Sequence, residues 1–278
     1  MKFGDRHLKT GDEGKDVVEL QLRLAGFKGT VWDGDFGAAT ELQVNTFQKD
    51  FMGMANPDGI VGPRTYAALD RFANEFPISF EKIFCPQNAG NHRAVCDCQG
   101  FGQNRFKKLF YKPNSYTLTW SRTGLEKMKE RRHQYEYPGI HKAVLHTYRA
   151  FLFYASGGKY RDPSITSGYR CHINNVSKRR RSTNHMGKAL DFTFDVPSGA
   201  TKRDVCNDAR QLLVDKSNCQ IRWQNDNQKA LEPGWPGRNG EFIATTWVHL
   251  DVRNYDPEKY LLPHFFVRSE AELDDKRL

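Results

Sequence analysis

A short pattern near the N-terminus occurs twice and constrains how this region can fold. Asp33–Thr40 and Asp58–Thr65 both read Asp-Gly-x-apolar-Gly-x-x-Thr. The Asp-Gly pair favours a tight turn, and the threonine suits the start of a helix. Apolar residues at helical spacing precede the first copy and follow each copy. They are Val17, Leu20 and Leu24, then Val44, Phe47 and Phe51, then Ala68, Leu69 and Phe72. The sequence therefore predicts three short helices around a small core.

The stretch from Leu8 to Phe72 resembles the peptidoglycan-binding domain that is common in bacterial and phage wall hydrolases. The resemblance is carried by the turn at Asp33–Thr40, and by the Phe-Gln pair at 47–48 together with the turn that ends at Thr65. It implies a module that binds glycan or stem peptide in a shallow groove beside these turns. Peptidoglycan is accordingly the expected partner.

The charge and hydropathy of the chain limit its other partners. A net charge of +9, with much of the excess in the run Lys178–Arg181, favours contact with an anionic envelope. No recognition helix or groove with stacking aromatics is evident, so no specific nucleic acid is expected. The sequence has neither an apolar run long enough to span a membrane nor a signal peptide. We therefore expect synthesis in the cytoplasm and action on the cell wall.

The length of 278 residues favours two domains. We predict a binding module at 1–75, a loop-rich connector at 76–116 and a catalytic domain at 117–278. The connector contains Cys85, Cys96 and Cys98 with His92 between them, which would bind a structural metal or form a disulfide. The remaining cysteines, Cys171, Cys206 and Cys219, are interpreted as ordinary buried thiols. Helical spacing predicts one helix from Ile140 to Ala155 and another from Thr201 to Leu213.

Three short segments of the catalytic domain carry the residues with the clearest chemistry. They are Ser164–Arg170, Thr183–Phe192 and Thr246–Arg253. Two histidines and a carboxylate satisfy a catalytic zinc ion and leave one position open for water. A glycine turn separates His185 from Asp191, so both side chains can point at one ion. In the third segment, strand alternation places Trp247, His249 and Asp251 on one face.

These segments resemble the zinc peptidase superfamily that includes D-Ala-D-Ala carboxypeptidases, murein endopeptidases and the Hedgehog signalling domain. The family signature is S-x-H, then G-x-A-x-D, then a later histidine on a strand, often as H-x-D. The matching positions here are Thr183 and His185, then Gly187, Ala189 and Asp191, then His249 and Asp251. The resemblance covers about Ser164 to Arg253. It implies zinc held by His185, Asp191 and His249, and a substrate-binding arginine at Arg170.

The resemblance also implies an α+β fold, with an antiparallel sheet and flanking helices after the small three-helix module. The stretch from Glu241 to Val252 is predicted to be the strand that holds the last ligand. His172 and Trp247 are expected to line the cleft beside Arg170.

Two departures from the family pattern leave alternatives open. The gap between His185 and Gly187 is one residue shorter than usual, so Asp195 remains a reserve ligand. Threonines stand at 245 and 246, where many relatives carry a general base. The nearest carboxylates are Asp251 and Glu241, and the sequence does not choose between them.

The expected function is that of a monomeric, zinc-dependent peptidase that cuts the stem peptide or cross-link of peptidoglycan. The absence of a signal peptide suggests a phage endolysin that causes host lysis. The alternative is a non-catalytic, zinc-containing wall-binding protein. A glycan-cleaving enzyme would require paired carboxylates across a cleft, and no convincing pair stands out.

Overall fold

The computed structural model of the chain describes residues 2–29, 32–85, 100–101, 105–106, 135–157, 160–171, 174, 185–222, 226–234 and 244–275. The fold is α+β, as predicted. Its N-terminal module contains three helices: α1 (Lys15–Arg23), α2 (Ala38–Asp50) and α3 (Pro63–Glu75). The apolar residues predicted to face inwards share one core, in which the Phe27 and Phe47 rings meet edge to face at 5.2 Å.

Each copy of the repeated pattern is held by one glutamine. The Gln21 side-chain amide donates to Asp33 Oδ1 (2.9 Å) and to Thr40 Oγ1 (2.8 Å). Its carbonyl oxygen accepts from the backbone N–H of Gly34 (2.9 Å), whose φ is +89°. A single buried side chain thus fixes the turn and the start of α2, and glycine suits the left-handed backbone at the turn.

The second copy repeats this network around Gln48. Its amide donates to Asp58 Oδ1 (2.7 Å), and its carbonyl oxygen accepts from the N–H of Gly59 (3.0 Å). The two copies therefore share their hydrogen bonds as well as their residue types. The turns depend on interactions between residues that are close in sequence.

The second half of the chain is built on a five-stranded sheet of order β4-β5-β8-β7-β6. Its strands are β4 (Arg161–Ser167), β5 (Ala189–Asp195), β6 (Cys219–Gln220), β7 (Lys229–Leu231) and β8 (Val248–Asp251). The predicted sheet was wholly antiparallel, whereas β6 and β7 pair in parallel. The other three pairings, which include both strands of the predicted ligands, are antiparallel.

Helices α4 (Lys142–Ala155) and α5 (Lys202–Ser217) pack against this sheet, and a short helix α6 (Glu270–Leu273) follows near the C-terminus. The small strands are β1 (Arg105–Phe106), β2 (Tyr135–Glu136), β3 (Ile140–His141) and β9 (Phe266–Val267); β1 pairs with β2 and β3 with β9. The helix predicted from Ile140 begins two residues later, because Ile140 and His141 pair with β9. Among the described residues, no helix is long and apolar enough to cross a membrane.

The strand predicted from Glu241 to Val252 is shorter in the structure and covers only Val248–Asp251. Residues 241–243 lie outside the described part of the chain. Ala244 has a φ of +50°, which a strand does not accommodate. The buried guanidinium of Arg210 donates to the carbonyl oxygens of Ala244 and of Trp247 (2.7 Å) and so holds the approach to β8 as a loop.

The N-terminal module and the sheet domain share a continuous core. Trp32 of the module stacks on Tyr255 of the sheet domain, with ring centroids 4.4 Å apart. Buried Glu19 of α1 accepts from Lys142 Nζ at 2.8 Å. A Cβ added at Gly26 would lie 2.2 Å from Ala150 Cβ, so the module backbone touches α4 directly. The contact is therefore a packed interior rather than a loose approach of two surfaces.

Lys229 of β7 lies in this shared interior and gives a prediction for the pH dependence of stability. Its ammonium donates to Ala25 O and to Thr147 Oγ1, and burial lowers the pKa of Lys229 from 10.5 to about 8. Between these two pH values the unfolded chain binds a proton that the folded chain does not, so stability rises with pH. We expect the free energy of unfolding of the wild type to rise by up to about 3 kcal/mol relative to Lys229→Met across this window. Urea unfolding at a series of pH values measures the difference, and a constant difference would contradict the assignment.

Candidate metal centre

Strand register places four polar side chains in a row across one face of the sheet. Ser167 of β4 pairs with Asp191 of β5, and Asp191 pairs with His249 of β8. Beyond β7, the backbone N–H of Glu232 donates to the carbonyl oxygen of His249 at 3.3 Å, which continues the β7–β8 register. Residues directly opposite each other in an antiparallel pair project to the same face. Ser167, Asp191, His249 and Glu232 therefore share that face.

His185 reaches this row from the turn that precedes β5. Its Nδ1 lies 2.6 Å from the carbonyl oxygen of Gly168, an acceptor that fixes the proton on Nδ1. Its Nε2 lies 3.2 Å from Asp191 Oδ2. Burial lowers the pKa of His185, which favours a neutral ring with a lone pair on Nε2. A neutral imidazole oriented by a backbone carbonyl is the usual form of a metal-ligating histidine.

His249 is held between two carboxylates. Its Nδ1 lies 2.7 Å from Asp191 Oδ1, and its Nε2 lies 2.7 Å from Asp251 Oδ2. Burial disfavours the charged ring, but the hydrogen bonds to Asp191 and Asp251 outweigh it and raise the pKa of His249 to about 9. The two carboxylates thus favour positive charge here, which a metal ion would also supply. With its Nε2 facing Asp251, the ring presents Nδ1 to His185 and Asp191.

Asp191 is the centre of the cluster. Burial opposes its ionisation, but His185 and His249 hold the pKa of Asp191 well below its ordinary value. The guanidinium of Arg170 donates to Asp191 Oδ2 at 2.9 Å and to Ser167 Oγ at 2.9 Å. An ionised carboxylate between two histidines is a donor set that zinc accepts.

The spacing of these donors suits one metal ion. One ligand atom each from His185, Asp191 and His249 lies within 4.8 Å of the other two, and all three residues are buried. Two donors on a tetrahedral zinc ion lie roughly 3.3 Å apart, close to the 3.2 Å between His185 Nε2 and Asp191 Oδ2. The residues present therefore fit a zinc ion.

The turn from His185 to Lys188, although one residue shorter than the pattern expected from the sequence, brings His185 next to Asp191. Gly187 adopts a φ of +116°, and a Cβ on it would lie 2.6 Å from Tyr137 Cβ. The structure brings Asp191 to both histidines, whereas the reserve ligand Asp195 is exposed at the far end of β5 opposite Arg161.

The other residues singled out from the sequence have different positions. Arg170 contacts Asp191, so part of its guanidinium holds a predicted ligand. Trp247 is half-buried in the loop before β8 rather than on the strand face with His249. Asp251 is fully buried, and Arg253 and His249 occupy its oxygens, which gives it an orienting position. His172 and Glu241, like His92, Cys96 and Cys98 of the connector, lie outside the described residues.

Sequence reasoning missed Glu232. It lies 17 residues before His249 and resembles no motif, so only the pairing of β7 with β8 brings it to the cluster. Its side chain is partly buried, and burial raises the pKa of Glu232, opposed by the positive charges of His249 and Arg253. A predicted register for β7 would have been the one signal able to identify it.

The comparisons with known proteins concern the N-terminal module. Residues 13–69 match the protein family described as "Putative peptidoglycan binding domain". The module is therefore a peptidoglycan-binding domain, which confirms the prediction from the repeated turns. Its elements α1 to α3 lie within or close to the matched range.

Two curated relatives are similar over the same part of the chain. A spore cortex-lytic enzyme of Halalkalibacterium halodurans is 43% identical over 74 residues, which are 26% of this chain and 22% of that protein. A zinc D-Ala-D-Ala carboxypeptidase of Streptomyces albus G is 38% identical over 79 residues, which are 26% of this chain and 30% of that protein. The matches thus span less than a third of each relative.

Proposed function

We propose that this protein is a zinc-dependent peptidase that cuts the peptide part of bacterial peptidoglycan. The observation that carries the proposal is the buried cluster of His185, Asp191 and His249 on the sheet face. The peptidoglycan-binding domain supports the choice of substrate. Both relatives carry names of wall-acting proteins, and one is named a zinc carboxypeptidase. Stem-peptide and cross-link bonds fall within this substrate class.

The residues in and around the cluster have different roles in the proposed reaction. When bound, zinc supplies a Lewis acid that polarises the scissile carbonyl and makes water more acidic. The carbonyl oxygen of Gly168 orients the His185 ring through Nδ1. The carboxylate of Asp251 orients the His249 ring through Nε2. Arg170 donates to Asp191, and a guanidinium at this position suits a substrate carboxylate, as the sequence suggested.

Glu232 is the carboxylate that we assign as proton acceptor. Asp251 is hydrogen-bonded to His249 and Arg253, so its oxygens are turned away from a substrate. Glu232 lies on the same face as the ligands and opposite His249. Its carboxylate accepts a proton from the attacking water and passes it to the leaving amine, so each proton is returned when the peptide bond breaks.

Replacing Glu232 with glutamine is expected to lower kcat by about 100-fold or more, while zinc content and KM change little. The exposed Glu258→Gln provides a matched control in the same domain. Steady-state kinetics on a soluble muropeptide, with metal analysis of each variant, measures both quantities. If zinc is lost together with activity, or if kcat is unchanged, the assignment is wrong.

The proposed function is tested by mass spectrometry of purified sacculi digested with the wild type, with and without a zinc chelator. We expect new peptide amines and no new reducing sugar ends, and we expect the products to disappear on chelation and to return with added zinc. New reducing ends would instead show that the protein cleaves the glycan. Binding to sacculi without any product would favour the non-catalytic, zinc-containing wall-binding protein, for which the threonines at 245 and 246 are the motivating observation.

A further inference from the structure

One buried guanidinium, that of Arg210 on α5, joins the two backbone segments that border the candidate metal centre. Its Nε donates to the carbonyl oxygen of Glu232 at 2.6 Å. Its Nη2 donates to the carbonyl oxygen of Trp247 at 2.7 Å and to that of Ala244. Glu232 directly follows β7, and Trp247 directly precedes β8. A single side chain of a helix therefore holds the end of one strand beside the start of the other.

The pairing of β7 with β8 restrains Glu232 only through its last bond. Two residue pairs form the ladder, which then ends with the bond from the N–H of Glu232 to the carbonyl oxygen of His249. This bond measures 3.3 Å, which is long for an N–H···O bond. Hydrogen bonds at the ends of elements open more readily than those in the interior. The position of Glu232 therefore depends on a second restraint, and the bond from Arg210 Nε provides it.

The guanidinium is itself fixed in the packed part of α5. Arg210 is fully buried, and its Nη1 donates to Asn207 Oδ1 at 3.0 Å, one turn earlier in the helix. A Cβ on Gly234 would lie 2.3 Å from Asn207 Oδ1 and 2.5 Å from Arg210 Nη1. The chain that leaves Glu232 thus passes directly over this pair of side chains. The restraint on the two strands is anchored in the helix and not in a mobile surface side chain.

The set of acceptors explains why arginine suits this position. Burial lowers the pKa of Arg210, since a charged group is costly in the interior unless its hydrogen bonds are satisfied. Its printed acceptors are three backbone carbonyls and one amide oxygen. A guanidinium presents five N–H donors in one rigid plane, whereas the lysine ammonium has three donors on a single atom. Lysine would keep the charge but would not reproduce these bonds.

We propose that Arg210 is a positioning residue for the reaction, which holds the Glu232 carboxylate at a fixed distance from His249. The inference rests on the proposed function and on Glu232 as the proton acceptor. Arg210 donates to backbone oxygens and to Asn207, and not to the donor atoms of the cluster. A displacement of about 1 Å in a reacting group can lower a rate about 100-fold. Loss of these bonds should therefore lower kcat while the three predicted ligands remain in place.

The first test compares two buried arginines of the same domain by steady-state kinetics on a soluble muropeptide. We expect Arg210→Lys to lower kcat about 30-fold, with KM and zinc content close to those of the wild type. Arg149→Lys is the matched control. Arg149 is 1% exposed and donates to the carbonyl oxygen of Phe76 at 3.0 Å, but it does not contact the cluster or its strands. Its kcat should stay within about 3-fold of the wild type. An unchanged kcat in Arg210→Lys, or an equal loss in both variants, would overturn the proposal.

A double variant separates positioning of Glu232 from a general loss of structure. If Arg210 acts through this carboxylate, its replacement has little left to affect once the carboxylate is gone. Arg210→Lys combined with Glu232→Gln should therefore have about the same kcat as Glu232→Gln alone. Two effects that multiply would show that Arg210 acts independently of Glu232.

Hydrogen exchange measured by mass spectrometry tests the restraint without any assay of activity. Peptides that cover residues 229–234 and 244–250 should exchange faster in Arg210→Lys than in the wild type, and should be unchanged in Arg149→Lys. Unchanged exchange of both peptides in Arg210→Lys would overturn the proposal even if kcat falls. A wild type that cuts no wall peptide would refute the proposed function and this role together, whereas an active wild type with an equally active Arg210→Lys would refute this role alone.

Discussion

Replacing His185 with alanine is expected to lower the rate of peptide-bond cleavage by at least about 1,000-fold. The ring provides one of the three donors of the cluster, and its Nε2 lies 3.2 Å from Asp191 Oδ2. Metal ions contribute several kcal/mol to catalysis of this kind, and about 4 kcal/mol corresponds to three powers of ten in rate. The rate is measured as the appearance of new amines from purified sacculi, together with the zinc content of the variant.

The exposed His264→Ala is the matched control for this prediction, because it removes an imidazole from the same domain without touching the cluster. It should retain both zinc and activity. Sacculus binding should persist in both variants, since the peptidoglycan-binding domain is distant in sequence from both histidines. Activity of His185→Ala close to that of the wild type would refute the assignment of the site.

The second large effect concerns stability. Replacing Glu19 with alanine is expected to lower the free energy of unfolding by about 3–5 kcal/mol. Glu19 is fully buried and forms ion pairs with Arg23 and Lys142, both at 2.8 Å. Its removal leaves Lys142, itself 3% exposed, as a buried ammonium without its carboxylate. Urea unfolding followed by circular dichroism measures the change.

The chain contains a matched control for this pair. Arg71 and Glu75 have the same i, i+4 spacing on α3, but both side chains are half exposed, at 56% and 50%. Glu75→Ala should therefore change the free energy of unfolding by less than about 1 kcal/mol. If the two substitutions had equal effects, the pair at Glu19 would not be part of the interior that joins the module to the sheet domain.

The features that the sequence predicted well depend on local interactions. The repeated turns, with the buried glutamines Gln21 and Gln48 behind them, lie within about one helix and one turn of sequence. Gly187 and the predicted ligands His185 and Asp191 form a short motif as well. For such segments, residue type and spacing carry most of the physical information, and the structure brings His185, Asp191 and His249 together as the pattern suggested.

The features that could not be predicted from the sequence depend on pairing between distant segments. Glu232 reaches the cluster only through the register of β7 on β8, and Cys171 meets Cys85 across a sequence separation of 86 residues. The parallel pairing of β6 with β7 also joins two separate segments. The late start of β8 depends on Arg210 of α5, which shapes the loop before β8. Neither hydropathy nor motif spacing encodes such contacts, because each requires the positions of two elements at once.

The close contact between Gly26 and α4 also limits how this chain can change by recombination. Wall-binding modules that are joined by loose tethers can be exchanged between hydrolases as intact cassettes. Here an incoming module would need a glycine where Gly26 meets Ala150, an acid where Glu19 meets Lys142 and a flat ring where Trp32 covers Tyr255. We therefore expect a swap of the module alone to lower stability unless the contacting residues of the sheet domain are changed to match.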